Sequence, residues 1–89
     1  MHAVVIPAKF NDGLSAAKSE LPELVSQVSG APGFVAGYWA AMSDDHGTAV
    51  IVFASEDAAR TFAASLPDGP SPGGVTTGTI EVGEVLGHA

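Results

Sequence analysis

The clearest pattern lies mid-chain, where two apolar runs, Phe34 to Ser43 and Thr48 to Ala54, flank the polar segment Asp44-Asp45-His46-Gly47. A short polar segment ending in glycine between two strand-forming runs predicts a β-hairpin. Upstream, Val4, Val5, Ile6 and Phe10 predict a first strand over residues 2–10, in which Pro7 removes one ladder donor and so marks an edge or a bulge. After Asn11-Asp12-Gly13, the apolar residues Leu14, Ala17, Leu21, Leu24, Val25 and Val28 recur at helical spacing and form one stripe. Pro22 falls inside that stripe and predicts a kink, or two helical pieces with the second beginning near Ser19. Gly30 is placed for a left-handed cap, and Pro32 cannot continue the helix.

Beyond the hairpin, Ser55 is placed to cap a second helix with Glu56 and Asp57 in its first turn and a narrow apolar face of Ala58, Ala59, Phe62, Ala63 and Leu66. Pro67 closes it. Residues 67–74 read as a loop by composition, and Val75 to Leu86 as a long last strand with Gly78 and Gly83 as bulges. The order is βαββαβ. It predicts one α+β domain over residues 1–89 of ferredoxin-like type, a four-stranded antiparallel sheet with two helices on one face.

Alternate residues of a strand point to opposite faces of a sheet. In the second strand Phe34, Ala36, Tyr38, Ala40 and Met42 alternate with Val35, Gly37, Trp39, Ala41 and Ser43, and both sets are almost wholly apolar. The third strand divides into Val50, Val52 and Ala54 against Ala49, Ile51 and Phe53, with the same result. A sheet with one solvated face alternates apolar with polar; these strands do not. Two helices cover one face, so the other calls for a partner, and a second copy related by a two-fold axis is the expected one.

Length supports association, since a monomer of this mass buries only roughly 63% of the surface its unfolded chain exposes. Three permanent cations, Lys9, Lys18 and Arg60, stand against ten carboxylates, a formal charge of −7. Such a field repels nucleic-acid phosphates and anionic lipid surfaces, so neither is an expected partner. With no cysteine there is no disulfide framework, thiolate metal site or cysteine nucleophile, which fits a reducing compartment. The N-terminal segment lacks the basic and apolar regions of a signal peptide, and no apolar run has the length of a membrane span, so a cytoplasmic location is the expectation.

The segments Ala31-Pro32-Gly33-Phe34-Val35-Ala36-Gly37-Tyr38-Trp39 and Ala49-Val50-Ile51-Val52-Phe53-Ala54-Ser55-Glu56-Asp57-Ala58-Ala59 resemble the dimeric α/β-barrel superfamily, which includes antibiotic-biosynthesis monooxygenase-like, haem-degrading and stress-responsive barrel proteins. The resemblance implies a homodimer with a pocket between sheet and helices. The monooxygenase branch oxidises aromatic, polyketide-like or quinol substrates with dioxygen and needs neither metal nor flavin, so no cofactor is implied. Its working set is an asparagine on the first strand with a tryptophan and a tyrosine, arginine or histidine. In this chain those residue types fall at Asn11, at the end of the first strand, at Trp39 on the second strand and at Arg60 on the second helix. The haem-degrading branch uses a histidine on a helix. His2, His46 and His88 all lie outside the predicted helices, so a haem role is not expected.

The candidate ligand-contacting residues are His2, Tyr38, Trp39, Phe53, Arg60 and Phe62. His2 shares a strand face with Val4 and Ile6 and is a possible neutral base, or simply a strand-end residue. Tyr38 and Trp39 must point to opposite faces, so one lines the cavity and the other packs in the interface; either also serves as a core filler. Arg60 either pairs with Glu56 on its own helix or reaches an acidic substrate group. Asp44, Asp45 and His46 bring three potential metal ligands together, but adjacent positions on a tight turn rarely converge on one point, and no metal site is assigned. Glu81 and Glu84 fall on opposite strand faces and cannot act as a general acid and base pair. No phosphate-binding loop or serine-nucleophile elbow is present. Two readings remain open: a cofactor-independent monooxygenase-like enzyme acting on a small aromatic or polyketide-like molecule, and a non-catalytic ligand-binding or structural homodimer of the same fold.

Overall fold

The computed structural model describes residues 1–66, 70–71 and 75–89. Its elements are β1 (His2–Phe10), α1 (Gly13–Ser29), β2 (Phe34–Ala41), β3 (His46–Phe53), α2 (Glu56–Ser65), β4 (Pro70–Ser71), β5 (Val75–Thr77) and β6 (Glu81–Glu84). The strands form one antiparallel sheet in the order β2-β3-β1-β5-β4, with β6 also paired to β1. β5 lies along Ala8–Phe10 and β6 along His2–Val5, end to end on the same side of β1. They act as one interrupted last strand. The result is an α+β fold with two helices on an antiparallel sheet, compatible with the ferredoxin-like arrangement. Among the described residues no helix is long and apolar enough to cross a membrane.

Strand register decides which residues meet the helices. Val4 stands opposite Ile51, Ile6 opposite Ala49, and Trp39 opposite Ala49. Val4, Ala49, Ile51 and Phe53 from this face are buried together with Val28 of α1 and Ala59 of α2, so both helices cover the same side. Phe53 is fully buried between Phe34, edge-on at 6.4 Å, and Phe62, tilted at 5.0 Å. Burial of a side chain of that size contributes on the order of 1.5–3 kcal/mol. The opposite face carries Ala3, Val5, Ala36, Tyr38, Val50 and Val52 with no described element across it, and Tyr38 is 65% exposed there.

Several local expectations are corrected by this register. β1 is an inner strand, so Pro7 does not mark an edge. Pro7 sits where β5 has ended and β6 has not begun, and its carbonyl accepts the Gly78 N–H there at 2.8 Å. A strand residue directs its N–H and C=O to the same neighbour. The donor that proline lacks therefore faces the gap and costs the ladder nothing. α1 runs unbroken through Pro22, which is exposed, instead of dividing near Ser19. Gly30 keeps a right-handed conformation, and the left-handed glycine is Gly33 at φ 80°. A side chain at Gly33 would meet the Ala58 methyl at 2.8 Å, so this turn is also a close approach to α2.

The hairpin is shifted relative to the composition: β2 ends at Ala41, two residues before Ser43, whereas His46 and Gly47 already belong to β3. A register shift between Phe34 and Ala36 turns Phe34 onto the helix face with Gly37 and Trp39, and not the face of Ala36 and Tyr38. Gly83 pairs regularly with Ala3 and is no bulge, and the last strand ends at Glu84. Pro70–Ser71, read as loop, pairs with β5, whereas residues 67–69 and 72–74 of that segment, with the proposed closure by Pro67, lie outside the described residues. α2 begins as its composition predicts, with Ser55 Oγ accepting the Ala58 N–H at 3.2 Å.

Candidate functional site: a cleft between the helices and the sheet

α1 rests closely on the sheet only toward its C-terminal end, where Val28 is buried; Leu24, one turn earlier, is 43% exposed. Below the helix the sheet offers small residues, Ala8, Ala41 and Ala49, and small floors under a row of leucines leave space. Two adjoining cavities result. One, of about 160 Å3, is walled by Phe10, Leu14, Lys18, Leu21, Trp39 and Thr48 among others. The second, of about 440 Å3, reaches toward α2 and includes Ile6, Gln27, Phe62, Ser65, Leu66 and Thr77. Ala8, Leu24, Trp39 and Ala49 line both, so Trp39 and Leu24 form the partition of one divided cleft.

Two glycines seat the aromatic walls. A methyl group on Gly37 would lie 2.8 Å from the Trp39 ring, so the indole lies back across the glycine on its own strand. A methyl on Gly47 would lie 2.8 Å from Phe10 Cζ and would also clash with the Ala40 carbonyl oxygen. Neither seat is visible in the chain's periodicity, because the glycine and the ring it accommodates are linked only through strand geometry. The remaining polar groups on the walls are few. Ser65 Oγ already donates to the Phe62 carbonyl at 2.7 Å, and Lys18 is the one titratable side chain among the described lining residues.

The six candidate residues separate. Trp39 lines both cavities and Phe62 the larger one. Phe53 is core, in contact with Phe62. Tyr38 points away from the cleft on the open sheet face. His2 lies at the start of β1, opposite Phe53 and Glu84, with its Nδ1 buried and without a hydrogen-bond partner among the described residues, and it lines neither cavity. Arg60 is on the outer surface, bound to Glu56 through Nε at 2.9 Å and Nη2 at 2.8 Å. That hydrogen bond, and then the guanidinium charge, hold the Glu56 carboxyl below its ordinary value. Leu14, Lys18, Leu21, Leu24 and Gln27, which sequence reasoning took only as a helix stripe and its flanks, are cleft residues.

Asn11 is engaged elsewhere: its amide donates to Thr76 Oγ1 at 2.6 Å and ties the end of β1 to β5. In the hairpin turn, His46 Nδ1 lies 2.8 Å from both Ser43 Oγ and Asp45 Oδ1. A proton relay needs the carboxylate and the hydroxyl on different ring nitrogens. Here both converge on one, so the cluster organises the turn and holds the Asp45 carboxyl below its usual range, first through His46 and then through Ser43. Among the described residues no three His, Asp or Glu side chains come together as metal ligands. Glu81 lies opposite Val5 and Glu84 opposite His2, on the two faces of the sheet.

No protein-family model matches the chain, and no curated protein is found to match it.

Proposed function

We propose that the protein is a homodimer formed by apposing the open sheet faces of two copies, each copy holding a small, planar, mostly apolar molecule in the cleft under its helices. The observation that carries the ligand half is the divided cleft, whose two cavities share Trp39 as a wall. Apolar walls with a few polar groups suit such a ligand. The dimer half rests on the uncovered face. With strands of eight or nine residues in β1, β2 and β3 and the interrupted β5–β6 strand as a fourth, about 3.3 Å per residue and about 4.8 Å per strand, the face measures roughly 26 by 19 Å. Two such faces give about 1,000 Å2, the size at which specific interfaces begin. The described core supports the same view, because among the described residues only Val4, Val28, Ala49, Ile51, Phe53 and Ala59 are buried apolar side chains.

The resemblance to the dimeric α/β-barrel superfamily fits both halves. Ligand holding is the favoured activity, because the described lining residues offer no acid and base pair. Cofactor-independent oxygenation of an aromatic or polyketide-like substrate is the second reading, favoured by the position of Trp39, against which such a ring would stack. Native mass spectrometry across a concentration series tests the proposal. A dimer that retains a small-molecule adduct is expected, and a monomer without adduct at every concentration overturns it. Dioxygen consumption with a hydroxylated aromatic, lost in Trp39→Phe, would establish turnover.

A further inference from the structure

We infer that the cleft selects a ligand carrying an anionic group beside its apolar body, such as a small aromatic carboxylate, and that Lys18 is the residue that recognises it. The inference rests on the cleft being a ligand site, as proposed above, and adds the class of ligand.

The three permanent cations have different situations. Arg60 is committed to Glu56. Lys9 lies on the open sheet face, opposite His46 and Thr76 and one residue out of phase with the helix-facing Ala8 and Phe10. Lys18 alone forms part of the cleft wall, in the smaller cavity with Phe10, Leu14 and Trp39. It makes no salt bridge among the described residues, although the chain carries ten carboxylates. It is also exposed. A lysine that walls an apolar cavity while remaining exposed lays its stem along the apolar surface and keeps its ammonium in water, which places a positive charge with no salt bridge among the described residues at a mouth where Thr48 is the only other polar side chain of the described lining.

Size narrows the ligand further. A cavity of about 160 Å3 is close to the roughly 150 Å3 that accommodates a benzene ring in an apolar protein interior. One ring fits beside Lys18, and the adjoining space past Trp39 and Leu24 takes a larger body. Glu20 and Glu23 line an adjoining groove that shares Ala17, Leu21, Leu24 and Val75 with the smaller cavity, so an anion is disfavoured on that side and the side of Lys18 is left as the one that tolerates it. The overall charge of −7 makes this discrimination local, a matter of the Lys18 side of the cleft.

The test uses a matched pair of probes, 2-naphthoate and its neutral amide, titrated into the full-length protein while the single indole N–H resonance, that of Trp39, is followed by NMR. The expected result is binding of both, with the carboxylate about fivefold tighter, as for an exposed ion pair. In Lys18→Met the ratio of the two affinities should fall to about one, whatever the change in amide affinity itself, and Lys18→Arg should restore the preference. Equal affinities in the natural protein, or a preference that survives in Lys18→Met, would overturn the inference and leave the apolar cleft standing. No shift of the indole resonance with either probe would overturn the cleft reading itself, and this inference with it.

Discussion

Arg60 reaches back one helical turn to Glu56, and the pair decides how that end of α2 responds to acid. The Glu56 carboxyl is held below its ordinary 4.5 by the hydrogen bond from Arg60 and then by its charge. A carboxyl whose folded-state value lies below its unfolded one adds stability above the unfolded value, and that contribution is lost as pH falls through the folded value. Both side chains are half or more exposed, so the effect is modest. Arg60→Met should therefore lose less stability than the natural protein between about pH 6 and about pH 3, measured by urea unfolding at each pH; identical losses would remove the pair from the acid response. This ion pair and the Ser55 cap were legible in the sequence because both partners lie within four residues of each other. The choice between Tyr38 and Trp39 was not. Alternation says only that they oppose one another, and the pairing of Trp39 with Ala49, across from the helices, decides which faces the cleft.

At the scale of elements, composition located both helices and the three long strands but misjudged what proline does within them. Pro7 and Gly78 meet across the gap between β5 and β6, a relation between distant parts of the chain that no local pattern reveals. Pro22 is different: it stands exposed in the middle of α1, where it withholds a backbone donor from the Lys18 carbonyl. A proline in a helix interior costs about 3 kcal/mol relative to alanine. Pro22→Ala should thus raise stability by up to about that amount, read from the midpoint of chemical denaturation. A loss of stability instead would mean that α1 depends on the proline for its fit to the sheet. The cleft was only partly visible at this scale, since the leucine stripe of α1 reads as core and its upper half turns out to wall a space.

For the whole molecule, the doubled apolar character of the central strands was the most informative feature of the sequence, and the described elements leave the face of Val5, Tyr38, Val50 and Val52 uncovered. Val52 lies on that face between Ala3 and Ala36. Val52→Asp would set like charges against each other in a face-to-face pair. If the proposed face-to-face dimer forms, sedimentation velocity should then show a lower association state for the variant than for the natural protein at the same concentration, and Tyr38→Glu, at a site that is already exposed, should act in the same direction where the first variant folds poorly. Unchanged association in both would move the contact to another surface. The position of β2 carries a separate consequence. It is the last strand at one end of the sheet, eight residues long, with neither a charge nor a proline along it. An outer strand of that kind is a template for cross-β growth, onto which unfolded or identical chains can stack. Mutual repulsion is what holds such chains apart at neutral pH, and it vanishes near the isoelectric point of about 4.4. In mild acid, where that repulsion is lost, fibre growth along β2 is the hazard this edge creates.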